Sequence, residues 1–132
     1  QESSRINSTW GGNLVDMVRS RRILEVVESD GLIARAARLG EGLVADLRGL
    51  AARHPSVSDP RGLGLMAAIT LPDAGVRAEV LRRLVDDEHV LMLGSGERSI
   101  RLRPPLTAGA DDLAEAVAAL DRALTATEGD RR

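Results

Sequence analysis

Hydroxyl side chains, the chain's single aromatic ring and a glycine pair are gathered in Ser4-Arg5-Ile6-Asn7-Ser8-Thr9-Trp10-Gly11-Gly12-Asn13, directly ahead of a long amphipathic stretch. Such a segment can bind an anion. The first turn of a helix leaves backbone N–H groups unpaired, the helix dipole is positive there, and hydroxyls add further donors for a phosphate or carboxylate. Gly11 and Gly12 would let the ligand approach the backbone closely. The same residues also write an ordinary N-cap with a glycine turn, and spacing alone leaves both readings open. Other reactive types lean toward structural roles. His54 and His89 each stand at the end of an expected helix, where a cap or dipole partner is the simpler role. Asp86-Asp87-Glu88 has no spaced partner and reads as a solvated acidic run. Arg19, Arg21 and Arg22 could face a phosphate, but pairing with Asp16 and Glu25 along a helix surface suits them better.

The string SRINSTWGGN followed by LVDMVRSRRILEVVE resembles the segment after the cofactor lysine in class III (subgroup II) pyridoxal-phosphate aminotransferases. Further on, DPRGLGLMAAITL is similar to that family's C-terminal-domain strand region, and SIRLRPPLT to its substrate-carboxylate arginine segment. All three stand in family order. The resemblance implies that the Thr9 hydroxyl and backbone N–H, with Ser8 beside it, bind the cofactor phosphate of a neighbouring subunit. Asn7, Trp10 and Gly11 would shape that loop. It also implies that Arg101 holds a carboxylate of the amino-acid or 2-oxo-acid substrate, a task suited to the planar guanidinium fork. Taken without the resemblance, an Arg-Leu-Arg alternation is a solvated strand edge with surface ion pairs. Arg103 is the weaker candidate.

A chain of 132 residues is one domain's worth, and at that size roughly two-thirds of the unfolded surface is buried on folding. The core must be aliphatic, since Phe and Tyr are absent and Trp10 stands at the glycine pair. All 18 basic residues are arginines. Pyridoxal phosphate is carried on a lysine amine, so this chain cannot supply its own anchor, and no catalytic residue is assigned within it. The expectation is therefore the C-terminal portion of an aminotransferase whose large domain lies upstream. No stretch reads as a signal peptide or membrane span. Absent cysteine excludes disulfides and thiolate metal sites, and suits a cytoplasmic protein. A net charge of -2 with 20 carboxylates against the arginines argues against nucleic acid as a partner.

Apolar periodicity places a helix over residues 12–29, with Leu14, Met17, Val18, Leu24 and Val27 near one face. A second carries Ile33, Ala36, Ala37, Gly40, Leu43, Val44, Leu47, Leu50 and Ala51 and ends at His54-Pro55. Gly40 lies on that stripe and is read as a close-packing contact. Gly62 to Leu71 reads as one strand buried on both faces. A third helix follows over Val76 to Val85, then short strands at 90–93 and 99–103 around a Gly-Ser-Gly turn. The last helix has Gly109 as N-cap and Asp111 and Asp112 in its first turn. This order is an α+β, two-layer arrangement, a short sheet covered on one side by helices. It agrees with what the resemblance implies: the small C-terminal domain of a fold-type I transferase over residues 31–127, preceded by the phosphate loop and connecting helix over residues 1–30. Residues 128–132 are expected to fray, from about Thr127 onward.

The implied function is amino-group transfer from a donor, the ε-amine of L-lysine being favoured, to 2-oxoglutarate to give glutamate, within a homodimer. The alternative is a free-standing, degenerate small domain acting as an interaction or regulatory module. The missing lysine suits either.

Overall fold

The computed structural model describes residues 9–130. The chain divides into two compact units, Gln1–Ile33 and Ala34–Arg132. In the first, a turn brings the Asn13 N–H onto the Trp10 carbonyl at 3.2 Å, and Gly12 takes φ +82°, a conformation that glycine adopts without strain. Helix α1 (Leu14–Ser29) then starts on Asn13, whose side chain accepts from the Val15 N–H at 2.9 Å. Its polar surface is laced as its spacing indicates: Asp16 with Arg19 at 3.3 Å, and Glu25 with Arg21 at 2.9 Å and Arg22 at 3.3 Å. The expected apolar face is not covered. No residue of α1 is buried, and Leu14 and Val18 are 76% and 70% exposed.

Helix α2 (Leu32–Arg53) follows after Gly31 at φ +59°. Its buried stripe is Ala36, Gly40, Leu43, Leu47 and Leu50, close to the expected one, although Ile33 is 73% exposed and Ala37 also faces outward. Strands β1 (Ser58–Leu63) and β2 (Met66–Thr70), helix α3 (Ala74–Asp86), strands β3 (Leu93–Ser95) and β4 (Ser99–Leu102) and helix α4 (Ala110–Gly129) complete the Ala34–Arg132 unit. The sheet is antiparallel throughout, in the order β1-β2-β4-β3. This is the α+β arrangement expected, with one difference in connectivity.

The difference is the run from Gly62 to Leu71, which is a hairpin and not one doubly buried strand. Gly64 at φ +54° turns the chain so that Leu63 pairs with Met66. Along β2 the burial alternates: Ala67 and Ile69 are buried, whereas Met66 is 60% exposed. One face of the sheet packs against the helices through Ile69, Ile100 and Leu102, joined by Leu43, Leu47 and Leu50 of α2, Val80 and Leu84 of α3, and Leu120 and Leu124 of α4. The other face stays open. A three-residue turn, Gly96 to Arg98, joins β3 to β4, so the hairpin expected there forms but with β3 shifted beyond Leu91 and Met92.

Helix ends are fixed by carboxylates. Asp73 caps α3 by accepting from the Val76 N–H at 2.8 Å, and at α4 the Gly109 N–H donates back to Asp112 at 2.7 Å. Helix α4 continues to Gly129, past the point where fraying is expected. Thr127 is buried there, Glu128 is held by His54 and Ser56, and Asp130 accepts from Arg83.

Candidate functional site

Arg101 stands on β4, an interior strand paired on both sides. Because Ile100 and Leu102 are turned into the core, period-2 alternation drives Arg101 and Arg103 to the open side of the sheet. Its Cα partners are Ala68 on β2 and Leu93 on β3. No described residue gives the Arg101 guanidinium a hydrogen bond or ion pair, and the same is true of Arg103. Both line a cavity of about 290 Å³ whose remaining wall is mostly apolar, with Leu91, Met92, Leu93 and Leu113, and includes Asp112, whose carboxylate accepts from the Gly109 N–H. An unpaired planar cation on a residue lining a largely apolar hollow suits a carboxylate carried on a short aliphatic chain. Such a group gains two parallel hydrogen bonds at one end and sheds water at the other.

The neighbouring part of the open face is strongly hydrogen-bonded, and sequence reasoning missed it. Arg61 of β1 reaches Asp59 and Thr70, and extends to Ser99 on β4. Asp59-Pro60 was legible as a turn signal, but its effect here is a bulge inside a strand, which depends on the partner strand.

A second polar cluster joins the end of α2 to α4. His54, only 5% exposed, has Nε2 2.5 Å from Asp121 and Nδ1 3.0 Å from Glu128. Arg53 also reaches Asp121, at 2.9 Å, and the Ser56 hydroxyl donates to Glu128. Burial alone would lower the His54 pKa. The hydrogen bonds and charges of Asp121 and Glu128 outweigh it and raise the value above the usual 6.5. Asp121 is lowered, chiefly by the His54 hydrogen bond; Glu128 is raised by burial but lowered more by its bonds to Ser56 and His54. A ring with a carboxylate on each nitrogen is an imidazolium donating twice. The helix-end role expected of His54 is thus replaced by a buried ionic clasp, which Asp121 and Glu128, seven residues apart on one face of α4, could have signalled only with the packing known. His89 is exposed, just beyond α3, at φ 56°.

Thr9 lies in the exposed turn ahead of α1, four residues before the helix cap and not in the first helical turn. Asn13, not a hydroxyl, caps that helix. Ser8 lies outside the described residues. Thr9 and Arg101 belong to different compact units. No helix among the described residues is long and apolar enough to cross a membrane.

The family model for class-III aminotransferases matches residues 2–124. The L-lysine-epsilon aminotransferase of Mycobacterium tuberculosis is 51% identical over 122 residues, covering 92% of this chain and 27% of that protein. That of Streptomyces clavuligerus is 46% identical over 125 residues, covering 94% of this chain and 27% of its own length. Among solved structures, lysine aminotransferase from M. tuberculosis superposes with a TM-score of 0.86 at 49% identity, over 96% of this chain and 29% of that one. The chain therefore spans little more than a quarter of the length of these relatives. On sequence and fold alike, it belongs to the class-III aminotransferases, with lysine ε-aminotransferases among its relatives.

Proposed function

We propose that this chain is the C-terminal part of a pyridoxal-phosphate-dependent aminotransferase that moves the ε-amino group of L-lysine to 2-oxoglutarate, giving glutamate. The observation that supports the reading best is the unpaired Arg101, which lines a largely apolar cavity, in a chain half identical to lysine-epsilon aminotransferases. Arg101 binds a substrate carboxylate at two points and so fixes the orientation of the molecule as well as its charge.

Pyridoxal phosphate supplies an electron sink for the bonds that change at the amino carbon. The exposed Thr9 hydroxyl, in a turn opened by glycine, suits a phosphate oxygen, and Ser8 would stand beside it. In this reading the phosphate belongs to the neighbouring subunit of a homodimer, and the enzyme works in the cytoplasm. The covalent anchor must come from another part of the polypeptide, because this chain contains no lysine. The chain alone is accordingly inactive.

The test is glutamate formation by the complete polypeptide from 2-oxoglutarate with lysine, ornithine or 4-aminobutyrate. Lysine is the expected best donor. Preference for another donor overturns the substrate assignment, and no transfer with any overturns the activity. The self-contained core of the Ala34–Arg132 unit favours the second reading, a free-standing interaction module. Intact mass of the native protein separates the two, several hundred residues for the enzyme against about this length for the module.

A further inference from the structure

The β1–β2 ladder is interrupted beside the site. Pairing passes from Ser58 with Thr70 to Arg61 with Ala68, with a bulge between. Pro60 has no N–H to give, and Asp59 is held at φ 49°, in the left-handed region that residues other than glycine seldom enter. A side chain spans the gap. From Arg61, Nη1 donates to the Asp59 carbonyl at 2.9 Å, to its carboxylate at 2.8 Å and to the Thr70 hydroxyl at 3.0 Å, while Nη2 donates to the Ser99 hydroxyl at 3.3 Å. The Thr70 and Ser99 hydroxyls are themselves 3.1 Å apart. One guanidinium thus ties β1, β2 and β4 together on the open face.

The register sets this tie next to Arg101. Ala68 is the Cα partner of Arg61 on one side and of Arg101 on the other, so both arginines rise from one face with a single methyl between them. Ser99 precedes Arg101 by two residues on the same strand and therefore shares its face. Since no described side chain holds the Arg101 guanidinium, the point from which it reaches is set by where β4 lies. Asp59 matches the charge of Arg61, whereas Arg101, like Arg103 beyond it, is left open to an anion.

We propose that Arg61, braced by Asp59 and acting through Ser99, is a positioning residue for Arg101: it fixes β4 so that the Arg101 fork meets a carboxylate at two points. This rests on the reading of Arg101 given above. Arg61 itself does not touch the substrate.

The test uses the complete polypeptide, with glutarate as the dicarboxylate probe in titration calorimetry and 2-oxoglutarate in steady-state kinetics. Arg61→Gln is expected to raise the glutarate Kd and the 2-oxoglutarate KM about fivefold to tenfold, with kcat within about twofold. In an Arg101→Gln background the same change should add nothing, because two residues acting as one unit give non-additive losses. Ser99→Ala should reproduce part of the loss, and Ser99→Thr, which restores the hydroxyl, should recover it. This pair carries the test if Arg61→Gln does not fold. Unchanged glutarate affinity in Arg61→Gln or Ser99→Ala, or additive losses in the double variant, overturns the positioning role alone. Unsubstituted protein that binds no glutarate, or binds it equally well in Arg101→Gln, overturns the carboxylate role of Arg101 and the positioning role with it.

Discussion

Arg101 and His54 are both cations of this fold, and they differ in what surrounds them. Arg101 has no hydrogen-bond or ion-pair partner among the described residues, so its charge is available. Replacing it with lysine keeps that charge but removes the two-point fork, and affinity for a dicarboxylate acceptor should fall by about 1.5–3 kcal/mol, roughly tenfold to a hundredfold. Unchanged kinetics of the complete enzyme with 2-oxoglutarate would return Arg101 to a structural role. His54 is satisfied on both nitrogens, and its charge is spent on stability. Because its folded pKa is raised, its contribution is full below 6.5 and disappears as pH rises through the folded value. Asp121 and Glu128 are lowered, so theirs is present above 3.8 and 4.5 and is lost as pH falls through the folded values. The stability difference between the native chain and His54→Gln, about 1.5–3 kcal/mol at most, should therefore peak between pH 4.5 and 6.5. Urea titrations across pH measure it; a difference that keeps growing above pH 8 would contradict the imidazolium.

Helix α2 owes its position to the smallest side chain on its stripe. A Cβ at Gly40 would lie 2.1 Å from the carbonyl oxygen of Gly64, a backbone atom that no rotamer change can move. Gly40→Ala gains about 1 kcal/mol in helix propensity. Against that stands overpacking of about 1–3 kcal/mol, since the helix must lift from the β1–β2 turn. Net destabilisation is the expected outcome, read as a lower urea midpoint at constant slope. A more stable variant would mean that helix and hairpin are not pressed together. The turn shares the β1 strand with Arg61, so the element that α2 clamps is the one that ties β4.

Helix α1 buries no residue while Leu14, Val15, Met17, Val18, Ile23 and Leu24 are each more than half exposed. Apolar surface of that extent drives association. The chain alone is expected to form dimers or larger species by light scattering, and Trp10, the only tryptophan, should report dilution through its emission. A monomer at high concentration with dilution-insensitive emission would count against a site shared between subunits. Without a lysine, pyridoxal phosphate should give no borohydride-stable adduct on any internal residue. Such an adduct, located by peptide mass mapping, would overturn the inference that the anchor lies elsewhere in the polypeptide.

The sequence by itself determined the helices, the family and the residue types at the site. Periodicity of 3.6 marks α2, α3 and α4 because each buries one stripe, and the Ile100-Arg101-Leu102 alternation already sends Arg101 away from the core. Gly40 was legible as a contact because an apolar stripe has no other use for glycine. What covers a face is not written locally. The α1 segment separates apolar from polar residues less sharply than α2, α3 or α4, and whether its apolar residues are covered is not decided by the local sequence. The Gly62 to Leu71 run was ambiguous because a short apolar stretch reads as one buried strand or as a hairpin arm until a partner strand sets its register. The two side-chain networks were decided by tertiary structure alone. His54 meets Asp121 and Glu128 across 67 and 74 positions of chain, and Arg61 meets Ser99 across 38. Separations of that size carry no periodicity, and only the packing of α4 on α2 and of β4 beside β2 turns five unremarkable polar residues into an ionic clasp and a strand tie.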